Sequence, residues 1–245
     1  MANLDDVAYF NPKGMKGSSI AYVCWLDVMG ASAHMRWSDT VGANDVFKLH
    51  NAVIRGYEKA SRPASVVIYP VMDGTFIVSP KWEEVNGIVV EAMRLLSGTF
   101  LSEAKNHQFQ SAVRGAISHG WVHHGKDITA EADKYLSNNP TIRDSIAVGQ
   151  AMVRAHDAER KAGPFCVWID WLAAQAHEGS RNAEPKEGPL RWFEDPCAKA
   201  NGMKLLQALM DYYDWYDSKG DHGAYPTKKR KAHLELAAKQ LPPPW

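Results

Sequence analysis

Two carboxylates in this sequence have the type and position to do chemistry. Asp27 ends the apolar run YVCWLD, and Asp73 stands in an Asp-Gly dipeptide between two apolar segments. A carboxylate at the end of a hydrophobic segment is costly to bury unless a proton or a cation offsets its charge. Two carboxylates without a neighbouring Cys or His cluster offer hard oxygen ligands, which favour Mg²⁺ or Mn²⁺. We therefore expect a divalent-cation site if folding brings Asp27 and Asp73 together.

The residues that follow Asp27 suit a substrate that carries phosphates. Gly30, Ala31 and Ser32 are small, so their backbone N–H groups can approach phosphate oxygens closely. Together with the carboxylate pair they predict a two-metal phosphoryl-transfer site at an open sheet edge. Each carboxylate alone also has a structural explanation, because Asp-Gly is common in hairpin turns and a single Asp can cap a loop or a helix.

Hydrophobic patterning predicts the elements that must position this pair. Their order is a βαββαβ pattern with further helices and a strand behind it, which is an α+β, ferredoxin-like core. In this topology the first two strands are parallel and the third runs back between them. Asp27 at the end of the first strand should therefore lie beside Asp73 in the turn between the second and third. Strands are predicted at 19–29, 65–71, 75–80, 111–125 and 164–170, and helices at 39–60, 82–104, 146–161, 197–218 and 227–240.

Composition excludes several classes of protein. The 245 residues are 45% hydrophobic and 23% charged, which is enough for a sizeable core, and 28 basic residues balance 28 acidic ones. This balance argues against a surface that coats nucleic acid. No run approaches the roughly 18 uncharged apolar residues of a membrane span, and the first residues lack a signal-peptide pattern. The three cysteines are far apart, as reduced thiols are. We expect a cytoplasmic protein without a membrane or nucleic-acid partner.

Three other motifs have simpler explanations than a binding site. His119 and His123 share a strand parity that His124 does not, so we expect strand-end histidines near solvent rather than a zinc cluster. The basic run KKRK at 228–231 begins a helix and is typical of a solvated face. The aromatic run at 209–217 predicts helix packing rather than base stacking.

Four short motifs, in order, resemble the class III nucleotidyl cyclase homology domain. That family has an Asp-Ile-x-Gly pattern at the end of its first strand, a Gly-Asp-x-aromatic hairpin, an Arg-x-Gly-Ile strand and a helix that opens with Gly and closes with Leu-Glu. The resemblance covers roughly residues 19–170. Its counterparts here are LDVMG (26–30), MDGTF (72–76), RGAISHG (114–120) and GQAMVRAHDAE (149–159).

The resemblance implies a reaction and a set of ligands. Asp27 and Asp73 would hold two Mn²⁺ or Mg²⁺ ions, with the Val28 carbonyl as a further ligand. The ribose 3′-hydroxyl would attack the α-phosphorus in line and expel pyrophosphate. The family also works as head-to-tail dimers with sites at the subunit interface, so a homodimer with composite sites is implied.

Two departures from the family concern the base. Purine cyclases place a Lys or Glu where Tyr69 stands, and an Asp or Thr where Ile146 stands. Tyr69 would narrow the pocket and offer one hydroxyl, which favours a smaller base. In this the chain is similar to the pyrimidine cyclases of the Pycsar antiphage systems. That likeness implies UTP as substrate and cyclic UMP as a signal for a downstream cyclic-nucleotide effector, with CTP and cyclic CMP as the alternative.

Two further departures concern catalysis. Val153 and Asp157 stand where the family has its transition-state Asn and Arg. Arg114, or Arg154 next to the Asn position, could supply the positive charge instead. Two other functions therefore stay open: a catalytically silent cyclase-like domain that binds a nucleotide or a partner, and a palm-type polymerase or oligonucleotide synthetase, against which the singly acidic hairpin argues.

The resemblance divides the chain into two parts. Residues 1–175 would form the catalytic domain, and residues 176–245 a helical extension that packs on it. A polar loop is predicted at 178–189.

Overall fold

A mixed sheet lies at the centre of the molecule. The structure is a computed structural model that describes residues 11, 14, 17–177, 186–218 and 226–242. Within these ranges the sheet has seven strands in the order β2-β3-β1-β4-β6-β7, and β5 pairs with β4. The strands are β1 (Ser19–Val28), β2 (Val67–Val71), β3 (Gly74–Ser79), β4 (Val113–His124), β5 (Ala147–Val148), β6 (Val167–Ile169) and β7 (Gly188–Pro189).

Helices cover both faces of this sheet. α2 and α3, of 21 residues each, are amphipathic and bury an apolar side, while α6 is a shorter helix. The helices are α1 (Ala31–Trp37), α2 (Asp39–Lys59), α3 (Trp82–Ser102), α4 (Lys134–Ser137), α5 (Pro140–Arg143), α6 (Gln150–Ala158), α7 (Trp171–His177), α8 (Lys199–Ser218) and α9 (Thr227–Gln240). In the described part of the chain, no helix has both the length and the apolar character needed to cross a bilayer.

β1 lies between β3 and β4 and is antiparallel to both. β2 is also antiparallel to β3, so β1 and β2 are parallel with β3 between them, and this predicted topology is confirmed. Asp27 pairs with Gly74 on β3 and with Arg114 on β4. The backbone N–H of Val28 donates to the carbonyl of Asp73 at 3.0 Å. The strand end and the hairpin turn thus meet at one edge of the sheet.

The two faces of β1 have different neighbours. Cys24, Leu26 and Val28 belong to a large apolar cluster that α2, α3 and α8 complete. Trp25 belongs to a smaller cluster that includes residues of α6. Because side chains alternate along a strand, Asp27 shares the face of Trp25 and lies on the α6 side.

Several predicted elements have different boundaries in the structure. The helix predicted at 146–161 begins only at Gln150, because Ala147 and Val148 pair with the end of β4. It ends at Ala158, and Glu159–Lys161 forms a 3₁₀ turn. α1 and α7 are not predicted at all, since seven residues are too few to show a helical period. In the predicted loop at 178–189, residues 178–185 lie outside the described ranges and Gly188–Pro189 is a short strand.

The C-terminal helices form where they were predicted. The prediction that the aromatic residues of 209–217 serve helix packing is confirmed, because Tyr212, Tyr213 and Tyr216 are all buried. The expectation of a solvated KKRK face is wrong for Arg230, which is buried and bonded to Asp217. The division into a catalytic part and an extension remains a prediction.

Candidate active site

The surroundings of Asp27 contain more negative than positive charge. Burial raises the pKa of Asp27 to about 7, and the nearby carboxylates of Glu159 and Asp73 contribute in the same direction. Arg114, its cross-strand neighbour on β4, lowers that pKa but does not offset the rise. An excess of carboxylates around a partly buried acid is the condition under which a proton or a cation binds.

Glu159 is a third acidic residue at this edge, and its role could not be read from the sequence. It follows α6, is 5% exposed, and both of its oxygens are engaged. Arg114 Nε donates to Oε1 at 2.5 Å, and the indole N–H of Trp25 donates to Oε2 at 2.8 Å. In the sequence it stands at the closing Glu of the motif GQAMVRAHDAE (149–159), which gives it no role. Glu159 thus fixes Arg114 beside Asp27.

The hairpin that carries Asp73 is shaped by its neighbour Trp25. A Cβ on Gly74 would lie 2.1 Å from the Trp25 ring, so that only glycine leaves room for the indole. Met72, the first residue of the turn, has φ +47°, a left-handed conformation that is uncommon outside glycine. The turn therefore holds Asp73, which is half-buried, in a defined position next to β1.

The backbone after β1 turns sharply into α1. Gly30 has φ +83°, and its carbonyl accepts the N–H groups of Ala33 and His34. Ala31 and Ser32 stand in the first turn, where N–H groups have no acceptor within the helix. The structure thus places Gly30, Ala31 and Ser32 directly beyond the strand end that carries Asp27 and Val28.

Aromatic side chains line the same face beside the carboxylates. Tyr69, Phe76 and Trp25 occupy one register level across β2, β3 and β1, and the Trp25 and Phe76 ring centroids are 4.4 Å apart. Tyr69 is buried, and its hydroxyl hydrogen-bonds to Nδ1 of His124 at 2.5 Å. Burial raises the pKa of Tyr69 to about 12. His124 is therefore buried, and the expectation of a histidine near solvent is wrong for it.

Ile146 is next in sequence to a residue of the cluster around Tyr69. His124 pairs with Ala147, and Ala147 packs against the cluster that contains Tyr69. Instead of the two polar residues of the purine cyclases, this chain has the hydroxyl of Tyr69, which is bonded to His124.

Three α6 residues are not brought to Asp27. Val153 is 62% exposed, and Arg154 and Asp157 are exposed on the same outer side of the helix. The guanidinium of Arg154 contacts Gln150 at 3.4 Å. Arg154 lies over β4 instead, where its guanidinium is 3.8 Å from the place of a Cβ on Gly120. Among the described residues, Arg114 is the arginine that acts on the Asp27 charge.

Comparisons with known proteins identify the fold. No family model matches the sequence, and no curated protein matches it. The crystal structure of the guanylyl cyclase Cya2 superposes with a TM-score of 0.51 at 12% identity, covering 72% of this chain and 90% of that one. A double mutant of the guanylyl cyclase domain of the RhoGC fusion protein from the aquatic fungus Blastocladiella emersonii gives 0.46 at 14% identity, covering 65% and 83%. The fold predicted from the motifs is confirmed: it is that of a nucleotidyl cyclase catalytic domain.

Proposed function

We propose that this protein is a nucleotidyl cyclase, which converts a nucleoside triphosphate to a 3′,5′-cyclic nucleotide and pyrophosphate. The observation that carries the proposal is the meeting of Asp27 and Asp73 at one sheet edge, where the pKa of Asp27 is raised to about 7. The likeness in fold to Cya2 supports it, and so do the four motifs in their order.

The donors at this edge fit a hard divalent cation. Asp27, Asp73 and the carbonyl of Val28 are oxygen ligands, as Mn²⁺ and Mg²⁺ prefer. Nowhere in the described ranges do three or more His, Cys, Asp and Glu side chains form a group that could hold a metal alone. A site with few protein carboxylates suits ions that complete their shell with water and substrate phosphates. Two such ions, when bound, would lower the pKa of the attacking ribose hydroxyl and neutralise the triphosphate.

Each of the proposed site residues has a defined task. Asp27 and Asp73 bind the cations, and burial of Asp27 keeps water from screening its charge. The small residues Gly30, Ala31 and Ser32 leave the backbone open to the phosphates. Arg114, held in place by Glu159, supplies positive charge near the α-phosphorus as negative charge develops there.

We infer that the residues next to these carboxylates favour a pyrimidine. Tyr69 is a bulky side chain whose hydroxyl is already bonded to His124, so it would leave less room for a base and offer few polar contacts to a purine. We infer UTP as substrate, with CTP as the alternative. By the likeness to Pycsar cyclases, the cyclic UMP would signal infection to a downstream cyclic-nucleotide effector in antiphage defence.

A homodimer would complete the site. The outer side of α6 carries the exposed Arg154 at the position next to the family's Asn. In a head-to-tail pair this side could reach the partner's carboxylates, which it cannot do within its own protomer. Composite sites are therefore part of the proposal.

A second candidate is a catalytically silent domain that binds a nucleotide. The observation that favours it is the engagement of Arg114 by Glu159, which reduces the charge that Arg114 can offer to a transition state. The retained carboxylate pair argues against it, because a binding module has little need for two acids that repel each other.

One assay separates the candidates. Purified protein is incubated with Mn²⁺ and each of the four ribonucleoside triphosphates, and the products are identified by mass. A cyclic pyrimidine monophosphate supports the proposal. A cyclic purine product would support a nucleotidyl cyclase but overturn the assignment of Tyr69 as the residue that selects a pyrimidine. Longer products would indicate a polymerase or synthetase, and binding without turnover a silent domain. Asp211→Ala, which removes an exposed carboxylate of α8, is the control for Asp73→Ala.

A further inference from the structure

A chain of three buried polar side chains lies outside the carboxylate site. Asp45 of α2, His34 of α1 and Tyr216 of α8 are 0%, 2% and 4% exposed. Asp45 Oδ2 lies 2.5 Å from His34 Nδ1, and His34 Nε2 contacts the hydroxyl of Tyr216. The His34 and Tyr216 rings are nearly parallel, with an interplanar angle of 2°. Three elements that are distant in sequence thus meet at one imidazole.

The direction of these hydrogen bonds follows from their chemistry. An ionised Asp45 can only accept, so His34 Nδ1–H donates to it and Nε2 is left to accept the Tyr216 hydroxyl. The other oxygen of Asp45 is buried, and no hydrogen-bond partner for it lies among the described residues. A buried carboxylate with one unpaired oxygen costs stability compared with an apolar side chain of similar size. The three hydrogen-bonded residues are therefore better explained by how they position the helices than by added stability.

The helix that these residues position is α1. Met35 of α1 packs against Gly42 of α2 so closely that a Cβ on Gly42 would lie 2.3 Å from the Met35 Cγ. Trp37 of α1 contacts Trp215 of α8, with ring centroids 6.2 Å apart. α2 and α8 therefore hold a helix of only seven residues.

α1 is joined to the carboxylate site by very few residues. Only Val28, Met29 and Gly30 separate Asp27 from its first residue, and Met29 N–H is tied to the carbonyl of Ala112. A tilt of α1 must be taken up in this short segment. The same segment contains the Val28 carbonyl and the small residues that the proposed function places near the phosphates.

We propose that Tyr216, His34 and Asp45 are positioning residues through which α8 fixes α1 and, with it, the backbone of residues 28–31 for substrate binding. This gives the C-terminal segment a task in the reaction, and it rests on the proposed function. Tyr216 acts through His34 and touches no substrate.

The test compares two variants of α8 that lose hydrogen bonds at different places. Tyr216→Phe keeps the ring and removes the hydroxyl that reaches α1. Asn201→Ala removes the bonds from α8 to the Arg94 carbonyl and to Ser97 on α3, and it leaves α1 untouched. The measurements are KM and kcat with Mn²⁺ and the preferred triphosphate, and amide hydrogen exchange across residues 28–37.

The positioning role predicts a difference between the variants. Tyr216→Phe should raise KM about 10-fold with a smaller change in kcat, and should speed exchange in residues 28–37 about 10-fold relative to α3. Asn201→Ala should do neither. Unchanged exchange in Tyr216→Phe, or an equal effect of Asn201→Ala on residues 28–37, would overturn the inference. If the wild-type protein turns over no triphosphate, the proposed function fails, while the exchange comparison still decides whether Tyr216 holds this backbone.

Discussion

The two faces of β1 put adjacent residues to opposite uses. Leu26 is fully buried in the large apolar cluster that α2, α3 and α8 complete. Asp27, the next residue, lies on the α6 side of the sheet, and the nearby carboxylates of Glu159 and Asp73 raise its pKa further. The end of one strand thus packs a core residue on one face and carries a costly charge cluster on the other.

The difference teaches where to look for function in this fold. A carboxylate with a purely structural role could be neutralised by one neighbouring cation, and Arg114 is close enough to Asp27 to do this. Here Arg114 is bound by Glu159 instead, and the pKa of Asp27 stays raised. Unbalanced charge at a strand end with an apolar opposite face is what a cation site needs before the cation arrives. Variants on each face test this contrast.

The largest expected effect is the loss of turnover in Asp73→Ala. Removing a metal ligand from a two-metal site should lower kcat at least about 1,000-fold, because the remaining acid cannot hold both cations. The melting temperature should change little, since Asp73 lies in a half-buried turn. Steady-state kinetics with Mn²⁺ measure the first quantity and thermal unfolding the second. A variant that keeps its rate would remove the metal assignment from this face.

On the opposite face the expected effect is on stability alone. Leu26→Ala should lower the free energy of unfolding by about 2–5 kcal/mol, because it leaves a cavity in a packed core. At temperatures where the variant stays folded, kcat should fall far less than in Asp73→Ala. Chemical denaturation and kinetics on the same preparation check this. Loss of turnover without loss of stability in Leu26→Ala would contradict the division between the faces.

The pH dependence of stability should report the charge of Asp27. Its folded-state pKa of about 7 lies above the unfolded value of 3.8, so the folded protein holds this proton more tightly. The corresponding stability is present below pH 4 and is lost as pH rises to about 7, at most about 4 kcal/mol. Asp27→Asn should flatten this loss and Glu159→Gln should reduce it, as measured by denaturation without metal. An unchanged slope in Asp27→Asn would show that this residue is not the source.

The smallest expected effect is on base choice. Tyr69→Lys should change the ratio of kcat/KM for UTP and GTP by about 10-fold, because it replaces a phenol with a cation that can bond to a purine carbonyl. Tyr69→Phe, which loses only the bond to His124, is the matched control and should keep the ranking of substrates. Mn²⁺ activation should be similar in both variants. The same ranking in Tyr69→Lys and wild type would exclude Tyr69 as the base reader.

The part of the site that the sequence predicts is the part fixed by strand order. The βαββαβ pattern brings Asp27 to Asp73 because a hairpin must return beside the first strand. Glu159 could not be assigned, since its contact with Arg114 depends on how the end of α6 lies over the sheet. The bond between Tyr69 and His124 was equally hidden, because it joins β2 to the far end of β4.

Short elements and distant networks had no pattern to reveal them. α1 has seven residues and follows a glycine with φ +83°, so no hydrophobic period marks it. The chain of Asp45, His34 and Tyr216 depends on α8 packing against α1 and α2, and no spacing in the sequence signals that contact. These contacts come from tertiary packing, which local patterns do not encode.

The most direct test is a crystal structure with Mn²⁺ and a non-hydrolysable UTP analogue, with data collected at the manganese absorption edge. The account predicts anomalous peaks between the side chains of Asp27 and Asp73, at about 2.2 Å from their oxygens and next to the triphosphate. Well-ordered Asp27 and Asp73 side chains with nucleotide bound and no manganese between them would contradict it.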